Sequence, residues 1–386
     1  MSLYQADQER AVRLMHWVKD WRKSQLISSE QHDRMAADLE TGLRRTNVFL
    51  RATLFIFGLL IAFAATGLLA ITIDVSDRTL WIIAAIAAMA ALAAAWFLVS
   101  RYNLYRFGIE EAFAVVGIVF AGFAVGFFFD SVGFLRNDRD FAFGLVAASV
   151  TAFIVFFQFG FVYAAIIGMG CAALAPFPVL ESDIANRSIA VTVLAAMFYA
   201  ARLQRAEHGD EFPGDSYGII ETAAWAGIYF VVNLKISDWL SHPVESGPVY
   251  WITYGMIWML PAAGLWIAVR ERHRWLLDLN IVLAIVTMMS NKPYLNAESK
   301  PWDPITFGML MIAIALGLRR WLESGAGGAR NGFVAFRLLA SERERLSLAG
   351  NVSVLQPSLH PQHAPEEPKP GFGGGRSGGA GTSAKF

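Results

Sequence analysis

The chain holds a single cysteine, Cys171, in 386 residues, so no disulfide within the chain can staple the fold. Charge is scarce as well. Asp, Glu, Lys and Arg make up 17% of the sequence, below the quarter or so carried by soluble domains. The 32 basic and 32 acidic residues cancel, which leaves no basic excess of the kind that points to nucleic acid. A GxxxxGK(S/T) phosphate loop, an HExxH helix, a cysteine pair and a Gly-x-Ser-x-Gly elbow are all missing. The common machinery of hydrolysis thus lacks its parts. An enzyme is not expected, and neither is a cofactor or a bound metal.

What the chain does have is apolar sequence, at 55% of positions. About ten stretches run for roughly 15 to 25 residues with scarcely a charge, each long enough to cross a hydrocarbon core of roughly 30 Å as a helix. In that solvent an unpaired backbone amide costs several kcal/mol, and a helix closes its own hydrogen bonds where an isolated strand cannot. The pattern predicts an all-α, polytopic transmembrane bundle of about ten spans. They are drawn at Thr53–Ile73, Leu80–Val99, Glu111–Phe129, Phe141–Phe157, Phe161–Ala175, Ser188–Ala201, Gly218–Leu234, Val249–Val269, Trp275–Met289 and Ile305–Leu318. As one helix, Phe141 to Ala175 would be about 50 Å long at 1.5 Å per residue, so a break is expected at Gln158-Phe159-Gly160.

Residues 1–50 read as a cytoplasmic amphipathic helical hairpin. Leu14, Val18 and Trp21 recur at helical spacing beside Trp17, opposite Arg13, Lys19, Arg22 and Lys23. Ser28 with Gln31 three residues on fits a capping box, and Met35, Leu39 and Leu43 continue as a stripe at i, i+4 and i+8. The pair can lie on the membrane or bind a partner. Because the first apolar run starts only near Arg51, no cleavable leader is expected. With the N-terminus inside, Arg44, Arg45, Arg51, Arg101, Arg106, Arg202, Arg205, Arg270, Arg272, Arg274, Arg319 and Arg320 face the cytoplasm. Arg78, Arg136, Arg139, Arg187, Lys235, Lys292 and Lys300 face outward. The imbalance favours both termini inside, in a bacterial inner membrane. The transmembrane domain is drawn over 51–322. Residues 323–356 form a juxtamembrane amphipathic segment in which Arg337, Arg343 and Arg345 alternate with Leu338, Leu339, Leu346 and Leu348. The Pro, Gly and Ser of 357–386 show no apolar period and are expected to be disordered.

One segment recurs. Phe107-Gly108-Ile109-Glu110-Glu111-Ala112, followed by Ala114, Gly117 and Ile118, aligns without gaps on Tyr217-Gly218-Ile219-Ile220-Glu221-Thr222, followed by Ala224, Gly227 and Ile228. Each copy opens a span at the same face, which reads as a parallel internal repeat about an axis along the membrane normal, a construction found in transporters. Chance recurrence of Gly, Ala and Ile is the alternative. Carboxylates inside spans are costly and mark ion or proton pathways, so Glu111 and Glu221 are candidate intramembrane polar residues. Their place in a first helical turn also suits a blander part, a negative charge at the positive end of the helix dipole. Asp278 and Asn280 complete the candidates, and a local ion pair with the neighbouring Arg272, His273 and Arg274 segment accounts equally well for Asp278. Gly122 with Gly126, and Ala164 with Gly168 and Ala172, read as close helix packing. Pro261 marks a tolerated proline or a broken helix. Glu207, His208, Asp210, Glu211 and Asp215 form a loop that is either solvated or able to hold a divalent cation. His360 and His363 lie in the Pro-rich tail, without a scaffold to set a metal geometry.

The stretch Gln25-Leu26-Ile27-Ser28-Ser29-Glu30-Gln31 leads through a short helix into a multi-span apolar region. In this it resembles the predicted bacterial membrane proteins of the DUF2157 type, over residues from about Trp17 to Ile73. The resemblance implies topology rather than activity, because no activity is established for that family. The expected function is a non-enzymatic membrane component that moves a small solute or ion, with a scaffold supporting other envelope proteins as the alternative. Its expected partners are the lipid bilayer and other membrane proteins.

Overall fold

Each apolar run does form a helix. A computed structural model describes residues 4, 6–73, 79–133, 139–208, 212–237, 247–295, 302–325, 329–330 and 333–334. Along them run α1 (Ala6–Lys23), α2 (Ser29–Asp38), α3 (Val48–Ile73), α4 (Leu80–Tyr102), α5 (Ile109–Val132), α6 (Arg139–Phe159) and α7 (Val162–Leu174). Then follow α8 (Asp183–Glu207), α9 (Phe212–Val232), α10 (Pro248–Glu271), α11 (Arg274–Tyr294) and α12 (Asp303–Glu323). A two-residue antiparallel pair, β1 (Ala329–Arg330) with β2 (Phe333–Val334), comes last. The chain to Phe336 is one compact unit. The amphipathic segment from Arg337 and the tail beyond it lie outside the described residues.

Among the described residues six helices, α3, α4, α5, α6, α8 and α10, are long and apolar enough to cross a membrane. The expected ten crossings are not reached on that measure. Helix α7 has 13 residues, about 20 Å, which falls short of a core of roughly 30 Å. Helix α11 has 21 residues, but Asp278, Asn280, Asn291 and Lys292 dilute its apolar character. The expected break between α6 and α7 falls at Gly160, where φ is +67°, the left-handed conformation that glycine adopts most cheaply. The two helices return antiparallel from this turn. Ser149 Oγ donates to Gly168 O (2.8 Å), and Gly168 faces Ala152 and Phe153.

Small residues set how closely the helices approach. Helix α4 buries Ala84, Ala88, Ala91, Ala95 and Val99, and α5 buries Ala112, Ala114, Gly117 and Ile118. Between α5 and α6 a Cβ on Gly144 would lie 2.8 Å from Gly122 O. Backbones this close hold helices together by dispersion where lipid tails are as apolar as leucine. Away from these contacts α3 leaves Ile56, Phe57, Leu60, Ile61 and Leu68 more than half exposed, an outer surface suited to lipid.

Helix α1 lies across one end of the bundle. Tyr4 OH donates to Leu104 O (3.1 Å), its ring meets Tyr105 edge-on at 4.9 Å, and Val12 and Val18 are buried. The capping box of α2 forms, with Gln31 N donating to Ser28 Oγ (3.2 Å) and Ser28 N to Gln31 Oε1 (2.9 Å). Helix α2 stops at Asp38, short of the expected stripe, and Leu43 packs on the core from the loop that follows. Gly42 in that loop disfavours further helix. The loop is clamped to the α4–α5 connection, since Arg44 N donates to Asn103 O (2.9 Å) and Tyr105 N to Arg44 O (3.0 Å).

Candidate functional site

The first copy of the recurring segment sits at the start of α5. Gly108 has φ +112°, and a Cβ there would lie 2.3 Å from Arg51 O, so only glycine fits. This close approach sets Arg51 against Glu111 in a bidentate pair: Nε donates to Oε2 (2.8 Å) and Nη2 to Oε1. Glu111 is buried. Beside it Glu110 is buried too; its Oε1 accepts from Phe107 N (2.5 Å), while Oε2 has no hydrogen-bond partner.

The second copy differs in its surroundings. Helix α9 begins at Phe212, so Glu221 lies well past the first turn in which a helix dipole acts. Glu221 is 0% exposed. Arg205 Nε stands 2.8 Å from its Oε2, yet neither carboxylate oxygen receives a hydrogen bond; the contact is charge pairing with the N–H directed elsewhere. Arg205 Nη2 donates to Glu271 Oε2 (2.6 Å), and Arg202 Nη2 to Glu271 Oε1. Gly218 makes room for His273, whose Nε2 would be 2.8 Å from a Cβ there. Glu111 and Glu221 therefore pair with different arginines, and they share no ion-pair partner among the described residues. The copies do agree in packing. Gly117 accepts Leu92 of α4, and Gly227 accepts Leu194 of α8.

From Glu221 a file of polar side chains runs along α9 at helical spacing: Trp225, Tyr229 and Asn233, each less than a tenth exposed. Helix α11 supplies the facing file. Trp225 Nε1 donates to Asn280 Oδ1 (2.9 Å), and Asn280 Nδ2 to Leu276 O (2.7 Å). Tyr229 OH and Thr287 Oγ1 share a hydrogen bond of 2.8 Å. Asn233 Nδ2 donates to Tyr229 OH (3.2 Å) and to Ser290 Oγ (3.1 Å). At the far end buried Arg187 donates to Asp183 (2.9 Å), Val231 O (2.7 Å) and Ser237 Oγ (2.6 Å). From Glu221 to Asn233 this seam is about 18 Å long. Helix α10 closes it with two residues that take little space. A Cβ on Gly264 would lie 2.2 Å from Asn280 Oδ1. Pro261 cannot donate to Ile257 O, and Thr287 Oγ1 does so instead (2.8 Å), which is how a neighbouring helix repairs a proline within a span.

No family model matches this chain, and neither does any curated protein or solved structure. The seam has to be read from its own chemistry.

Of the four candidates, Asn280 lies in the seam and Glu221 at its end. Glu111 belongs to the separate pair with Arg51. Asp278 is exposed and lies 3.9 Å from Arg274, the local ion pair open to it from its sequence position. In the acidic loop Asp210 and Glu211 fall outside the described residues, as does the Asp215 side chain. Among the described residues no group of His, Cys, Asp and Glu could hold a metal ion. His360 and His363 also lie outside. Sequence reasoning missed Trp225, Tyr229, Asn233 and Thr287 as site residues, although the fourfold spacing from Glu221 to Asn233 carries that signal.

His273 caps α11, its Nδ1 accepting from Leu276 N (3.2 Å), and it is buried. Burial first, then the charges of Arg205 and Arg202, lower its pKa to about 4 from an ordinary 6.5. The folded protein thus holds the ring neutral, while the unfolded chain takes up the proton first as pH falls. Stability present above pH 6.5 should drain away between there and pH 4, at up to about 1.4 kcal/mol per pH unit. His273→Asn keeps a capping side chain and should flatten the unfolding midpoint against pH in detergent over this window. A slope equal to that of the unaltered protein would place the acid sensitivity elsewhere.

Proposed function

We propose that the chain is a multi-pass membrane protein whose ten apolar helices lie in the bilayer and whose α9–α11 seam passes a small ion or solute. The observation that carries this is the seam itself. Buried polar side chains are spaced from the Arg205, Glu221 and Glu271 cluster at one end to Arg187 and Asp183 at the other. Polar and ionisable groups are expensive within a membrane and tend to be kept where something polar travels. The matching Leu-on-Gly contacts of α4–α5 and α8–α9 support a parallel duplication of the kind transporters use. The arginines gathered at the Arg51 and Arg205 end support a cytoplasmic N-terminus in a bacterial inner membrane. The likeness to DUF2157-type proteins adds the same topology.

A second reading, a scaffold for other envelope proteins, is favoured by one observation. The seam side chains are wholly buried against each other, and interhelical hydrogen bonds of this sort also serve as glue. Reconstitution separates the two. Liposomes holding the purified protein and an entrapped pH-sensitive dye are given a proton gradient, with K+, Na+ and chloride gradients run in parallel. Gradients should collapse faster than in empty liposomes. Tyr229→Phe should slow the collapse by about tenfold, the worth of one hydrogen bond of about 1.4 kcal/mol, and Glu221→Gln, which removes the buried charge at the end of the seam, should slow it as well. No flux of any of these ions, with a lowered melting temperature for Tyr229→Phe, would leave the scaffold reading standing.

A further inference from the structure

Where α1 crosses the end of the bundle, a cavity of about 290 Å³ opens between α1, the start of α3 and the α4–α5 loop. Its wall carries Arg13, His16 and Trp17 from α1, Arg45 from the approach to α3, Arg51 from the first turn of α3, and Arg106 from the loop. Among the described residues no carboxylate lines it. Contacts behind the wall fix where the cations stand. Arg51 is held from beneath by Glu111, Arg13 lies over the Trp17 ring at 5.0 Å, and Arg106 lies over the Tyr105 ring at 5.6 Å. A guanidinium has five N–H donors, and the bidentate pair with Glu111 uses two of those on Arg51. These groups line one cavity. Burial holds the Tyr105 phenol up at about 12; Arg106, Arg45 and Arg51 lie close enough to pull it down, and Glu9 of α1, itself within reach of the Arg106 charge, close enough to push it up.

Two further observations set the depth and the sign of the ligand. Val48 and Phe49, at the first turn of α3, are 84% and 81% exposed apolar side chains beside the cavity, as befits the place where a span leaves the headgroup region. That turn also presents the positive end of the α3 dipole, with Asn47 Oδ1 capping Leu50 N (2.7 Å). Planar arginine forks match phosphate oxygens, and a cavity near the lower end of the small-ligand range suits a headgroup rather than a whole nucleotide.

We propose that this cavity binds a phosphate group presented at the membrane surface, the headgroup of an anionic phospholipid. Its chemistry is separate from that of the seam, and its test does not depend on transport.

Purified full-length protein is exchanged into detergent. Native mass spectrometry then compares retention of phosphatidylglycerol with that of phosphatidylcholine, and thermal shift is recorded with each lipid, with glycerol phosphate and with inorganic phosphate. Phosphatidylglycerol should be retained in preference and should raise the melting temperature. Arg45 is exposed, so Arg45→Gln should leave the lipid-free melting temperature unchanged while weakening phosphatidylglycerol binding about tenfold. Arg45→Lys, which keeps the charge but loses the fork, should fall between. Arg274→Gln, at an exposed arginine that does not line the cavity, should leave the preference intact, which separates the cavity from general surface charge. Saturable binding of glycerol phosphate or inorganic phosphate, lost in Arg45→Gln and without any lipid preference, would overturn the lipid source. Equal retention of both lipids, no response to phosphate and indifference to Arg45→Gln would overturn the site.

Discussion

Arg205→Ala should lower the stability of the protein in detergent by about 3 to 5 kcal/mol, the cost of stranding a buried charge. Glu221 is 0% exposed and has Arg205 as its nearest cation at 2.8 Å. The same arginine also serves Glu271, so its removal disturbs two carboxylates at once. Adding Glu221→Gln should recover part of the loss, because a neutral amide needs no cation, and the double variant should therefore melt above Arg205→Ala alone. Arg51 and Glu111 should follow the same logic with a smaller effect, since Arg51 keeps 35% of its side chain exposed and water screens what burial does not. Glu111→Gln and Glu221→Gln combined should be additive within about 0.5 kcal/mol, as befits groups with separate partners. Thermal unfolding of these variants beside the parent measures all of this. An Arg205→Ala protein as stable as its parent would show that the pair contributes nothing to the fold.

Gly264→Ala should cost about 3 kcal/mol, from forced repacking together with an orphaned indole N–H. The added methyl would stand 2.2 Å from Asn280 Oδ1 and 2.4 Å from Asn280 Cγ, and α10 and α11 have no room to part without breaking the Thr287 to Ile257 bond. Asn280 must therefore swing away and release Trp225 Nε1. Two measurements report it. The unfolding midpoint should fall, and the Trp225 contribution to fluorescence should shift as its hydrogen bond is lost. Asn280→Ala placed on top removes the clashing atoms, so the double variant should be more stable than the sum of the single losses predicts. Strict additivity of the two losses would mean that Gly264 and Asn280 do not meet.

Much of the scaffold could be read from the chain because it is written locally. Apolar runs, the Ser28 and Gln31 box and the Gly160 break each depend on residues within a turn or two of one another, and each has its counterpart in the helices. The stripe of Met35, Leu39 and Leu43 overruns α2 because it carries no information about the glycine that follows. Helix α9 starts ahead of its apolar run, among polar residues near Phe212 that mask its beginning, which takes Glu221 out of the first turn. Partners were the least legible part. Nothing near Glu221 names Arg205, and nothing near Glu111 names Arg51 sixty residues earlier. Trp225 and Tyr229 carry no local sign of their role, since an aromatic in a span reveals its polar atom only when the facing helix is known.

Pro261 has a consequence for how the protein is made. Its missing N–H leaves the Ile257 carbonyl dependent on a hydroxyl that belongs to the next helix. While α10 alone sat in hydrocarbon, that oxygen would have no donor, at a cost of several kcal/mol. The connection to α11 is only Arg272 and His273, too short to let the two helices enter far apart. If α11 lies in the bilayer beside α10 as proposed, co-insertion of the two as a hairpin, with Thr287 already seated, is the route that never exposes the bare carbonyl to lipid.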